Sequence, residues 1–336
     1  HCGTERGKSH MDVPNSPEIS VDVPPYLRVH KDSTVERIAG TQVVPAGLDS
    51  DTNVVSKDIL VVPETGVTGR LYRPNSTPPT ANKLPLLVYF HGGAFCISSA
   101  SDPLYHTSLN NLVAEANVVA LSVNYRLAPE HPLPTAYQDS WSAIQWVADA
   151  SRAKQHHQED WIRDNVDFDR VFLAGDSAGA NLGHYMALKL NNNFPTNDGF
   201  DFKVAGLIMV NPYFWGKEAI GVEITDPERK KMVDKWWSFV CPSDKGNDDP
   251  LINPFVEEAP GIEGVACDRV LVTVAEKDIL RERGKLYHKM LSNSDWRGTA
   301  EFHETPGEDH VFHIFNPNCE QAKSLIKRIA HFINEH

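Results

Sequence analysis

Along the middle of the chain, short apolar runs alternate with longer stretches in which apolar residues recur every three to four positions. The runs are residues 85–90, 118–123, 171–174, 204–210 and 269–274. Nearly continuous apolarity over so few residues predicts strands buried on both faces. Helical periodicity marks 109–116, 136–150, 280–291 and 320–333; in the second of these the apolar positions are Trp141, Ile144, Trp146 and Val147. Strands alternating with helices of this length predict an α/β fold, a mostly parallel sheet wound with right-handed crossovers and covered by helices on both faces.

Three stretches depart from that rhythm. Residues 57–62 and 67–72 are β-type runs split by Pro63-Glu64-Thr65-Gly66, which predicts antiparallel edge strands joined by a tight turn. A Pro/Ser/Thr/Asn loop over 74–83 follows. Between 211 and 260 lies an insertion with Pro212, Tyr213, Phe214, Trp215 and Gly216, then a helix over 228–240 carrying Trp236, Trp237 and Phe239. Residues 12–51 are rich in Pro and Val. Their amphipathic piece, 26–30, is followed by a turn and 35–38, so this segment reads as an arm that needs a surface to pack on. Residues 1–10 precede Met11 without periodicity and read as an artificial leader, leaving 11–336 as a single domain.

Composition narrows the function. Against 32 Lys and Arg stand 45 Asp and Glu, a net charge of −13, with no basic stripe. Nucleic acid and anionic membrane are therefore not expected partners. No apolar run approaches the roughly 18 residues that span a bilayer, and the first residues lack a secretory pattern, so a soluble, cytoplasmic protein is expected. Cys2, Cys96, Cys241, Cys267 and Cys319 form no Cys-x-x-Cys pair, as expected of reduced thiols rather than a disulfide frame or a zinc site. Asn75-Ser76-Thr77 reads as a polar loop rather than a glycosylation site.

The chemistry centres on Gly175-Asp176-Ser177-Ala178-Gly179, which follows the run 171–174 and enters the apolar pattern Leu182, Tyr185, Met186, Leu188. Strand, sharp turn and helix in that order form a nucleophile elbow, in which the glycines leave room around a serine raised above the sheet edge. A chain of this length contains such a pattern by chance roughly 0.1 times, so its partners must decide the matter. A serine hydroxyl needs a base. His310 lies in a loop between a short strand, 301–304, and the last helix, where a base can hang over the sheet's carboxyl edge. The base needs a carboxylate to fix its tautomer. Asp278, just after the run 269–274, fits, with Glu276 and Asp309 as competitors. Separations of 101 residues (278 − 177) and 32 residues (310 − 278) give the order Ser, Asp, His. His91-Gly92-Gly93-Ala94, after another strand, can present backbone amides to an oxyanion, and the expected donors are Gly92, Gly93 and Ala178. His91 is expected to hold that loop's shape.

Together with His91 to Phe95, the stretches Tyr125-Arg126-Leu127-Ala128-Pro129-Glu130, Gly175 to Gly179 and Gly307-Glu308-Asp309-His310 resemble the plant carboxylesterases of the hormone-sensitive-lipase branch of the α/β-hydrolases. Tyr26-Leu27-Arg28-Val29-His30-Lys31-Asp32 and Val35-Glu36-Arg37 extend the likeness from about residue 25 to the C-terminus. The resemblance implies about eight strands, a helical cap made from about 11–50 and 212–260, and Ser177, Asp278 and His310 as a catalytic triad. Ala94 stands where the family often has a third glycine; its amide can still donate.

The resulting expectation is a serine carboxylesterase acting on a small to medium hydrophobic ester, with no metal or organic cofactor. Phe95, Tyr213, Phe214, Trp215, Trp236 and Trp237 are candidates to line the apolar pocket, with no more than half expected to touch substrate. The same family includes 2-hydroxyisoflavanone dehydratases, which carry threonine or serine at the nucleophile position, and alkaloid cyclases. It also includes gibberellin receptors that lack the catalytic histidine. His310 separates this chain from the receptors; Ser177 does not separate it from the dehydratases.

Overall fold

A computed structural model describes residues 18–75, 82–193 and 202–335; residues 1–17, most of the 74–83 loop and Ser76-Thr77 lie outside the described residues. The arm forms three antiparallel strands, β1 (Ile19–Val23), β2 (Leu27–His30) and β3 (Val35–Arg37). A second sheet begins with β4 (Leu48–Asp49), β5 (Val54–Val62) and β6 (Val67–Pro74), paired antiparallel as the turn residues require. The apolar runs then become β7 (Leu84–Phe90), β8 (Val119–Asn124), β9 (Val166–Asp176), β10 (Val204–Val210) and β11 (Arg269–Ala275), followed by the edge strand β12 (Thr299–Thr305). Their order is β12-β11-β10-β9-β7-β8-β6-β5-β4. From β12 to β8 every pairing is parallel. The sheet thus has nine strands among the described residues, the outermost contributing two residues.

Helices cover both faces. In chain order they are α1 (Pro103–Ala116), α2 (Thr135–Ala153), α3 (Asp160–Asn165), α4 (Ala178–Asn193), α5 (Pro227–Val240), α6 (Arg281–Ser292), α7 (Phe312–Phe315) and α8 (Glu320–Asn334). Side chains alternate across a strand. Leu86, Val88 and Phe90 of β7 therefore join a core with Ile144 of α2, Leu182 of α4 and Trp237 of α5. Leu87 and Tyr89 join another with Leu109 of α1 and Ile329 and Phe332 of α8. Helix α1 begins six residues earlier than its apolar pattern, because Asp102 caps it, accepting from the Leu104 amide at 2.9 Å, and Pro103 opens the first turn.

The two segments expected to form a helical cap are only partly helical. Helix α5 supplies one part, while the arm contributes strands, with Tyr26 and Trp236 in ring contact at 5.2 Å. Arg37 of β3 anchors the arm. Its guanidinium makes two 2.7 Å hydrogen bonds to Glu130 and donates to the carbonyls of Cys96 at 2.8 Å and Ala128 at 3.1 Å. The four described cysteines, Cys96, Cys241, Cys267 and Cys319, are free thiols.

Candidate active site

Strand β9 delivers Ser177 into a tight turn before α4. Its φ is +54°, a strained conformation for a residue with a side chain, held by its amide's 2.9 Å bond to the Val210 carbonyl. The turn closes because of the flanking glycine: a Cβ on Gly179 would sit 1.8 Å from the Phe90 carbonyl oxygen.

The three residues singled out for acyl transfer meet here. His310 Nε2 lies 2.9 Å from Ser177 Oγ, and His310 Nδ1 lies 2.7 Å from Asp278 Oδ2. With Nδ1–H donating to the carboxylate, Nε2 is left to accept the serine proton. Asp278 is buried and further held by Asn211 Nδ2 at 3.1 Å and the Leu280 amide at 2.9 Å. The competing carboxylates are occupied elsewhere. Glu276 accepts from the Gly307 amide at 2.9 Å, and Asp309 pairs with Arg229 at 2.9 Å. Burial lowers the affinity of His310 for a proton, but the charge and hydrogen bond of Asp278, with Asp176 and Asp309 behind them, outweigh it. The imidazole's pKa is raised above its ordinary 6.5. Asn211, at the end of β10, escaped the sequence reading; its place just beyond a buried strand is the signal that could have found it.

One expected oxyanion donor is corrected. The Gly92 amide is already bonded to Tyr105 Oη at 3.0 Å and Asp176 Oδ1 at 3.2 Å. The amides of Gly93, Ala94 and Ala178 donate to no other described residue, so the free donors sit one position further along the loop. His91 is fully buried, with Nδ1 2.6 Å from the Gly92 carbonyl oxygen and its ring stacked on Tyr125 at 4.4 Å. Burial drives its pKa down to about 4, which keeps it neutral.

A cavity of about 500 Å³ opens above Ser177. The arm contributes Tyr26, α5 contributes Met232 and Trp236, and Ile97, Leu104 and Ile279 complete much of the apolar wall. Of the six aromatic candidates, Trp236 alone lines it. Phe95, Tyr213, Phe214, Trp215 and Trp237 are fully or almost fully buried in the core beneath. Among the described residues no cluster of His, Cys, Asp or Glu is arranged to hold a metal ion, and no helix is long and apolar enough to cross a membrane.

A family model described as the alpha/beta hydrolase fold matches residues 87–314, more than half of the chain. The chain belongs to the α/β-hydrolase family. This hydrolase is similar to "Probable carboxylesterase 2" of Arabidopsis thaliana, with 54% identity over 318 residues covering 95% of this chain and 97% of that protein. It is also 39% identical over 319 residues to the 2-hydroxyisoflavanone dehydratase of Glycine max, covering 94% of this chain and 99% of the other. Among solved structures, the hydrolase superposes on the hyperthermophilic esterase of Pyrobaculum calidifontis with a TM-score of 0.66. That likeness has 26% identity and covers 83% of this chain and 84% of the esterase.

Proposed function

We propose that the protein is a serine carboxylesterase acting on small to medium hydrophobic esters. The observation that carries this reading is the continuous hydrogen-bonded path from Ser177 through His310 to Asp278, beside amides that donate to no other described residue. Ser177 Oγ attacks the ester carbonyl while His310 Nε2 takes its proton, and the oxyanion is held by the amides of Gly93, Ala94 and Ala178. Collapse expels the alcohol, which receives the proton back from His310. Water activated by the same base then adds to the acyl-enzyme and releases the acid. The apolar cavity suits an uncharged acyl or aryl group.

Replacing Ser177 by Ala is expected to cut p-nitrophenyl ester turnover by at least about 10⁴-fold while leaving the fold intact. A variant that keeps wild-type turnover overturns the assignment. The kinship with a dehydratase supports elimination as the second reading, with His310 taking a proton from carbon. Mass analysis of products separates the two, since hydrolysis adds the elements of water and elimination removes them.

A further inference from the structure

Asp176 lies outside the proton path from Ser177 to Asp278, yet it is fully buried beside it. Its Oδ1 accepts from Tyr89 Oη at 2.6 Å and from the Gly92 amide at 3.2 Å, and its Oδ2 accepts from Tyr105 Oη at 2.7 Å. The Tyr105 oxygen also accepts from the Gly92 amide, at 3.0 Å. Four separate pieces of chain thus close on one point: the end of β9, the end of β7, the first turn of α1 and the glycine loop. A side chain at Gly92 would push this network apart. A Cβ there would stand 2.6 Å from Asp176 Oδ2 and 2.8 Å from Tyr105 Oη.

The consequence reaches the next amide. The Gly92 carbonyl is held by His91 Nδ1 at 2.6 Å, and the His91 carbonyl accepts from Tyr125 Oη at 2.5 Å. Both peptide planes around Gly92 are therefore gripped at their N–H or C=O ends. A trans peptide points its N–H opposite its C=O. Fixing the Gly92 carbonyl on His91 consequently fixes the direction of the Gly93 amide, which faces the cavity side of the loop and donates to no other described residue.

We propose that Asp176 is a positioning residue of the oxyanion loop: its ionised carboxylate anchors Gly92 to α1 and β7, so that the amides of Gly93 and Ala94 are set before charge develops on the substrate. The inference rests on the esterase reading. A carboxylate is acceptor-only, and all of its contacts here are donors, which is the pattern of an anion. Burial pushes its pKa up, opposed by the hydrogen bonds of Tyr89 and Tyr105, the charge of His310 and the Gly92 amide. Donors fixed in advance need no reorganisation during reaction, which is where such sites gain most of their effect. The charge also acts on the base. His310 faces Asp278 from the β11 loop, Asp176 from β9, Asp309 from its own loop and His313 from α7, while Asp176 faces Tyr89, Tyr105, Tyr125 and His310.

The test uses Asp176→Asn and Tyr105→Phe in the full chain, with folding checked by circular dichroism. Three quantities are read: kcat and KM for a p-nitrophenyl ester, the Ki of an alkyl boronic acid that mimics the tetrahedral intermediate, and the pH dependence of kcat/KM. In Asp176→Asn an amide N–H replaces an acceptor against donors. Its kcat is expected to fall about 10- to 100-fold, short of the loss on deleting an oxyanion donor outright, with KM within about threefold. The boronate Ki should rise by the same factor as kcat/KM falls, and the acid limb should move to lower pH because a negative charge near His310 is gone. Tyr105→Phe keeps that charge. It is expected to lose about three- to tenfold in kcat and boronate affinity together, with the limb unmoved, and it carries the test if the Asn variant does not fold. Wild-type kcat and boronate affinity in a folded variant, or a loss confined to KM, overturns the proposal. Wild-type protein that binds the boronate but hydrolyses no ester overturns the esterase reading instead, and the boronate series still reads the loop.

Discussion

A base that must start neutral and a neighbourhood that favours its protonated form work against each other at His310. Its pKa is raised, burial being outweighed by Asp278 and, behind it, Asp176 and Asp309. Below that pKa the imidazole is charged and cannot take the serine proton; above it the base is free. With chemistry limiting, kcat/KM for a short ester measured between about pH 5 and 9 should rise through a midpoint above 6.5, and a midpoint below the ordinary value would contradict the assignment. That Ser177, Asp278 and His310 come within hydrogen-bond reach of one another was legible in the sequence, because each follows a strand or occupies a loop beside one. The donor set was less so. Whether Gly92 or Ala94 is free depends on Tyr105 and Asp176, 13 and 84 residues from Gly92, and no local pattern reports where a peptide plane points.

Helix α5 ties the cavity to the two loops that carry Asp278 and His310 through Arg229. Arg229 lines the cavity and donates to the Lys277 carbonyl at 2.9 Å and to Asp309 at 2.9 Å, so α5 grips both the loop that carries Asp278 and the loop that carries His310. Both members of the ion pair are partly exposed, which limits its worth to about 1 kcal/mol. Arg229→Gln is expected to lower kcat/KM by roughly fivefold at low salt, and the gap between variant and wild type should narrow at high salt. An unchanged kcat/KM at low salt would mean that the cap does not steady these loops. The aromatic run just upstream shows why periodicity and composition misplace lining residues. The Tyr213 amide bonds the Ser177 carbonyl at 3.0 Å and the Trp215 amide bonds the Ile252 carbonyl at 2.9 Å, which tucks the segment beneath the site rather than into it. The sequence predicts strand β9 only over its apolar end, because its first half carries Asp167 and Arg170 at partly exposed positions and Asp169 at an exposed one.

For the molecule as a whole, alternation of apolar runs and helical stretches was enough to specify a parallel sheet with two covered faces, since few topologies bury such strands. The docking of the arm was not foreseeable in detail. Arg37 meets Glu130 across 93 residues, and the arm's short strands have little apolar periodicity of their own.

The carboxylates gathered around His310 bear on a later moment than bond cleavage. Deacylation converts a neutral ester into a carboxylate anion, in a chamber lined by Asp176, Asp278 and Asp309, where the guanidinium of Arg229 is already paired with Asp309. The whole chain adds a charge of −13. Repulsion at such short range favours departure of the acid. Progress curves should therefore show little product inhibition, with the Ki of the released carboxylate at least about tenfold above the KM of its ester. Comparable values would instead mean that the acid is retained. Emptied by its own product's charge, the chamber is ready for the next neutral guest.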